Sequence, residues 1–507
     1  MMKAPPVAPW AMPQPLLDSI RASDLGAEVS AAHLNDLRLS KRAGQIAAAM
    51  GRSPGSTLPD IMAADSELMA AYRFFNNEKV SPEALLEPHA QATAVRAASA
   101  ERLLVITDTS EIRFTGEHRE ALGDVSGGEG FLGHVSLAVA EVGDVPVPLG
   151  VLSLQMLIRD HARKRRRKSS KAKPLFDKNN EFRRWPIAIQ QSAATLHSPD
   201  KAIHVMDREG DSYAFLAWLS EHGHRFVVRL AHDRTVNAVG TSDKKAARPM
   251  SEIFAAISGV CERTVHVSAR EAKGLRDADR KHPPRDERDA TLSFAASRLR
   301  LRRPSGSKEE LPDFVDVSVV RVWEESPPPG QKPIQWLLVT SEPIESADHV
   351  LDVVDIYRKR WIIEEYFKAL KTGCAVEQRG FLTAHALQNV FALSLPVAWQ
   401  LLAMRALSRL PVQVAASAVL SPAQLDVLHE ATRKLPPSQR PPQNPNVSAA
   451  LRAIAALGGH VTRNGSPGWL TLMKGFEKLR TLTDGYLIAR RAPVEHGAGH
   501  GGALRDV

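Results

Sequence analysis

A chain of 507 residues is too long for a peptide-sized module, and with only Cys261 and Cys374 it has neither a disulfide framework nor a thiolate zinc site. A formal net charge of +9 and a pI near 9.5 favour a polyanionic partner without naming one. The eighteen histidines show no paired ligand spacing, which leaves carboxylates as the candidate metal ligands.

The first twenty residues are proline-rich and lack the continuous apolar core of a secretory signal. No later run reads as long enough to span a membrane, so the expectation is a soluble, cytoplasmic protein. Residues 16–95 read as helices. Between His33 and Met50 an apolar periodicity (Leu34, Leu37, Ile46) joins a basic end (Arg38, Lys41, Arg42), which suits a helix lying on DNA and equally an ordinary amphipathic surface helix. Cap signals at Asp60, Ser66, Asn76 and Ser81 complete a helical domain expected to end near residue 85.

The pattern then changes to strands. Leu103 to Thr107 is an apolar run that delivers Asp108 at its end, and His134–Val142 and Val147–Leu157 read as two paired strands behind it. Ala202 to Met206 delivers a second acid, Asp207, in the same way; for either acid, capping of the next turn is the plainer explanation. Between them lies the densest charge run in the chain, from Arg159 to Lys173, which suits backbone attraction to a nucleic acid or a solvated loop. Arg225–Leu230 is a further strand carrying Arg229. From about 230 to 345 short strands alternate with basic loops, an all-β insertion whose last strand carries Trp336, facing either core or groove.

The stretch Ile356–Lys371 organises the rest. Read as one helix at about 100° per residue, it projects Tyr357, Arg360, Glu364, Lys368 and Lys371 within an arc of roughly 80°, beside an apolar stripe of Ile356, Ile363, Tyr366, Phe367 and Leu370. A carboxylate flanked by cations suits a metal site for a phosphate backbone; a solvated helix with Glu364 paired to Lys368 is the bland alternative. Beyond Gln388 the chain is helical and alanine-rich, with a proline-rich linker near 436–445 and a tail after Arg490 expected to be disordered. Asp108, Asp207 and Glu364 together offer the all-oxygen shell that magnesium prefers.

Tyr357, Arg360, Glu364 and Lys371 fill the pattern Tyr-x-x-Arg-x-x-x-Glu-x-x-x-x-x-x-Lys, Asp108 stands in a DTS context and Asp207 in a DRE context. With the AYRFFNN string at 71–77, FVVR at 226–229 and WLLVTSEP at 336–343, the chain resembles the DDE transposases of bacterial insertion sequences, in the Tyr-Arg-Glu-Lys (YREK) signature group of the IS-four family. The resemblance implies an α/β fold: a ribonuclease-H-like mixed sheet with an all-β insertion, between an N-terminal helical DNA-binding domain and a C-terminal helical domain. The expected divisions are 1–85 for end binding, 86–408 for catalysis (insertion about 230–345) and 409–507 for dimerisation.

The resemblance further implies Asp108, Asp207 and Glu364 as ligands of two Mg²⁺ ions, with Mn²⁺ as substitute. It implies Tyr357, Arg360, Lys368, Lys371 and Arg229 as contacts to the DNA backbone, Trp336 as acceptor of a flipped base, and Arg38, Lys41 and Arg42 as end-binding contacts. The reaction implied is cutting and joining of transposon ends through a DNA hairpin by a homodimer on double-stranded DNA, in the bacterial cytoplasm at the nucleoid, with no membrane. A catalytically inactive inhibitor or domesticated relative, and a plain metal nuclease, are the alternatives. Where relatives carry two tryptophans ahead of the residue matching His134, this chain has Phe131 and Leu132, which removes any second wedge for a flipped base.

Overall fold

The computed structural model describes residues 24–491 with Asp18 and Ile20, apart from 63, 117, 120, 160–172, 272–283, 306–309, 412, 462 and 464. The body of the basic run and the C-terminal tail therefore lie outside the described residues. Its two ends are described: Arg159 pairs with Glu181 at 3.1 Å and Lys173 donates to the Asn179 carbonyl at 2.9 Å.

Among the described residues the N-terminal part holds the helices α1 (Leu25–Ser30), α2 (Leu37–Arg52), α3 (Leu58–Ile61), α4 (Asp65–Phe75) and α5 (Pro82–Ala98). Asp36 and Ser81 cap α2 and α5 by accepting backbone N–H bonds, and Asp60 closes a capping box with Thr57. Ser66, expected to cap, lies inside α4, whose N-cap is Ala64. Residue 85 falls within α5, so the chain passes from the N-terminal helices to the sheet along one continuous helix.

Strands β1 (Leu103–Phe114), β2 (Gly123–Val125), β3 (Gly128–Val142), β4 (Val145–Leu157), β5 (Ala202–Met206) and β6 (Arg225–Arg229) build the first half of one sheet. β1 is antiparallel to β3, β3 to β4, while β5 and β6 run parallel to β1. The order β4-β3-β1-β5-β6 with that polarity is the ribonuclease-H-like arrangement. The insertion extends this sheet rather than forming a separate body: β12 (Gln335–Thr340) pairs with β6, and β11 (Phe314–Glu324), β10 (Arg288–Arg302), β9 (Cys261–Val267), β7 (Thr235–Ala238) and β8 (Arg248–Pro249) follow outward. It is not purely β, since a short helix at Met250–Ala255 sits within it.

Period-2 alternation splits two cores across the sheet. Val227 faces one with Ile203, Val205 and Val320, whereas Phe226 and Val228 face the other with Trp185, Phe215 and Val319. The helices that cover the sheet are α6 (Arg184–Thr195), α7 (Tyr213–Glu221), α8 (Met250–Ala255), α9 (Ala347–Lys359), α10 (Ile362–Lys368) and α11 (Ala384–Leu407), with α12 (Pro422–Thr432), α13 (Val447–Leu457) and α14 (Trp469–Arg491) closing the chain. Contrary to the sequence reading, α11 is long and apolar enough to cross a membrane, but 89% of that stretch is buried inside the protein. It is the central core helix. Phe391 packs over Gly133 of β3, where an added Cβ would come within 2.8 Å of its ring.

Candidate active site

The two strand-borne acids arrive together because of the pairing. β1 and β5 are parallel and in register through Thr107 opposite Met206, so the next residues, Asp108 and Asp207, stand side by side. β1 itself does not stop at Asp108 as expected. It continues to Phe114 against β3; only the β5 partner ends there, which opens a notch in the sheet. Asp207 does cap the following turn, accepting from the Glu209 N–H at 2.8 Å, so the capping and site readings coexist in one side chain. Asp108 accepts from the Thr109 N–H at 2.7 Å.

Glu364 reaches them by a break in what the sequence presented as one helix. α9, capped by Ser346, buries Val350, Val353, Val354, Ile356 and Tyr357. The chain turns at Arg360 and Trp361 before α10 begins, and after α10 a π-helical turn over Ala369–Gly373 shifts the phase again. The common arc of five polar side chains is therefore not formed. Tyr357 is buried, Lys368 is exposed with its Nζ 5.5 Å from the Trp361 ring, and Lys371 turns to the Glu111 carbonyl of β1 (2.5 Å) and Glu377 (3.5 Å). The break carries α10 onto β1, and Arg360 at the joint donates 2.9 Å to Asp108 and 2.6 Å to Glu364.

Among the described residues Asp108 and Glu364 share the one guanidinium of Arg360, and the Asp207 carboxylate stands beside Asp108. Burial, then the neighbouring Asp207 carboxylate, push the Asp108 carboxyl up to about 7 against the opposing pull of Arg360. Arg360, although burial opposes its charge, is held above its usual range by Tyr357, Asp108 and Glu364. As they lie, the acids do not close on one point. Among the described residues no three acids, histidines or cysteines are gathered for a single ion, and the Arg360 guanidinium spans the gap between Asp108 and Glu364. The donors nevertheless fit a hard divalent cation: all are carboxylate oxygens, two are adjacent, and the repulsion between Asp108 and Asp207 is what such an ion would relieve.

Beside the acids, Trp336 is half-buried with its ring 5.5 Å from Tyr357, and Arg229 lies 5.5 Å from the Trp336 centroid. Burial lowers the Arg229 guanidinium below its usual range. Trp336, Tyr357, Arg229 and Arg360 thus form one group flanking the pocket. Phe131 and Leu132 are buried, so no aromatic wedge stands ahead of His134. On α2, Arg38 and Lys41 are exposed and Arg42 half-buried.

Two groups escaped the sequence reading. Trp361, next to Arg360 in the chain, is 54% exposed; an aromatic inside the signature was the available sign. Arg184, at the start of α6, bonds Glu209 (2.7 Å), Thr109 (3.2 Å) and the Glu181 carbonyl (2.9 Å). Nothing in the string EFRRWP distinguishes it, because two of its partners come from elsewhere in the chain, Thr109 on β1 and Glu209 in the turn after β5.

Residues 23–80 match the family described as Transposase DNA-binding, and residues 162–395 match the Transposase DDE domain. A solved structure, the cryo-EM piggyBac transposase synaptic complex with hairpin DNA, aligns over 94% of this chain and 82% of that one with 9% identity and a TM-score of 0.33, too low to bear on fold or function. With its sheet order and paired acids, the chain carries a transposase DDE domain behind a transposase DNA-binding domain and is an enzyme of the DDE transposase class.

Proposed function

We propose that this protein cuts and rejoins transposon ends by two-metal-ion phosphodiester hydrolysis and transesterification through a DNA hairpin, acting as a homodimer on double-stranded DNA at the nucleoid. The observation that carries the reading is the juxtaposition of Asp108 and Asp207 at the ends of paired parallel strands, with Glu364 tied to Asp108 through Arg360. Asp108, Asp207 and Glu364 would hold two Mg²⁺ or Mn²⁺ ions. When bound, such ions activate water or a 3′-hydroxyl and stabilise the leaving oxygen.

The protein's own groups do the positioning. Arg360 holds Asp108 and Glu364, and its planar fork also suits a backbone phosphate. Arg229, Lys368 and Lys371 extend that contact, and Tyr357 supports Trp336, whose half-buried ring offers a stacking face for a base drawn out of the duplex. Arg38, Lys41 and Arg42 would read the end through the N-terminal helices, and α12–α14 would join the subunits, dividing the chain near 85 and 408.

Incubation with end-containing DNA and Mg²⁺ tests this directly. Hairpin product supports the reading. Binding without cleavage would instead indicate an inhibitor or domesticated protein, and unselective nicking a plain nuclease. Trp336→Ala should permit the first nick and reduce hairpin closure; an unchanged hairpin yield would remove base capture from the account.

A further inference from the structure

We propose that Arg184 is a positioning residue that sets the relative placement of Asp108 and Asp207 and thereby the affinity of the pocket for divalent cations. This rests on the reading of those aspartates as metal ligands. Each has one oxygen, Oδ1, fixed by a backbone N–H: that of Thr109 for Asp108 and that of Glu209 for Asp207. The side chains of those same two donors are joined by one guanidinium, Arg184 Nε to Thr109 Oγ1 at 3.2 Å and a terminal nitrogen to Glu209 at 2.7 Å. The other terminal nitrogen is spent on the Glu181 carbonyl, so three directions of the planar fork are fixed at once.

The support behind Arg184 is rigid. Its side chain is 10% exposed, and the adjacent Trp185 is wholly buried against Phe182 and Phe215, which fixes the start of α6. Thr109 Oγ1 accepts from Arg184 and also hydrogen-bonds His134 Nδ1 at 2.9 Å; His134 is itself buried edge-to-face on Trp185. The strands holding the two aspartates stop pairing just before them, at Thr107 and Met206. Past that point backbone hydrogen bonds between β1 and β5 no longer set their separation, and the Thr109–Arg184–Glu209 bridge takes over. Groups that orient ligands from behind typically change metal affinity about 10–100-fold when removed.

Mn²⁺ titration of the full-length protein, with free Mn²⁺ followed by electron paramagnetic resonance, tests the assignment. Arg184→Met should weaken binding about 10–100-fold. Arg184→Lys, which keeps the Glu209 pair but cannot span three partners, should fall between, and Thr109→Val, which cuts one arm at constant volume, should cost less. High Mn²⁺ should restore the cleavage rate of Arg184→Met, a rescue that a purely structural defect would not show. Should Arg184→Met fail to fold, the Lys and Val variants carry the test. Wild-type affinity in the Arg184 and Thr109 variants, alongside lost binding in Asp108→Ala, overturns the role of Arg184 alone; wild-type affinity in Asp108→Ala overturns the ligand reading and this proposal with it.

Discussion

Two buried clusters of the same chemistry, an acid with an arginine, sit on the catalytic sheet, one against β4 and the other at the ends of the β1–β5 pairing, and behave in opposite ways. At the seam with the N-terminal helices, Glu28 of α1 meets His89 at 2.6 Å and Arg96 at 3.2 Å. Arg96 also donates to the Leu149 carbonyl of β4 at 2.6 Å and lies 4.2 Å from the Trp399 ring centre, while His89 Nε2 accepts from the Val151 N–H. That bond leaves Nδ1 as the protonated nitrogen facing Glu28. Although burial opposes it, the His89 and Arg96 contacts hold the Glu28 carboxyl below its usual range, and burial holds His89 neutral. In the pocket, Asp108 is pushed the other way, up to about 7, by burial and by Asp207. A satisfied cluster fastens the fold. One whose carboxylates repel each other is prepared for a cation.

The contrast is broken most sharply by Asp108→Ala, Asp207→Ala or Glu364→Ala. Each should abolish cleavage of end DNA in a gel assay while sparing end binding; a variant that still cuts loses its place as a ligand. At the seam the expectation is reversed. Glu28→Gln leaves Arg96 and His89 facing a neutral group and should lower stability by about 3–5 kcal/mol in urea unfolding, leaving the cleavage rate of the folded fraction unchanged.

The pH dependences should also oppose one another in chelator-treated protein. The folded-state value of Asp108 lies above its unfolded value, so its contribution is present below about pH 4 and is lost as pH rises to about 7. Asp108→Asn removes that loss, and its stability should exceed wild type by roughly 1–3 kcal/mol near pH 8, with the gap closing toward pH 4. Glu28 is depressed, so its contribution is present above the ordinary carboxylate range and is lost as pH falls through the lowered value. Glu28→Gln should therefore differ most from wild type near neutrality and converge with it in acid. The smallest effect belongs to an exposed pair. Asp316→Asn, removing the partner of Arg300 at 2.7 Å on the insertion, should leave the thermal midpoint unchanged, and a clear drop there would show that burial is not what separates the two clusters.

Much of the site was legible in the chain text because it is local. Asp108 and Asp207 each end a short apolar run, and Tyr357, Arg360 and Glu364 share one contiguous string. The pairing of His134–Val142 with Val147–Leu157 also follows from neighbouring segments, and β3 and β4 form it. The helix break at Arg360 was not legible, since the apolar stripe keeps its period across the joint. Packing against two different parts of the sheet, α9 on β6 and β10 and α10 on β1, imposes the turn.

Local propensity and residue type, which need only near neighbours, settled which segments are strands and helices and which acids are candidates. Tertiary structure decided the rest: that β1 runs on past Asp108, that Ala384–Leu407 is a core helix, that Lys371 turns to Glu111, and that Arg184 joins Thr109 to Glu209. Each of these depends on groups distant in the chain meeting in space, where burial and charge balance act on all of them together.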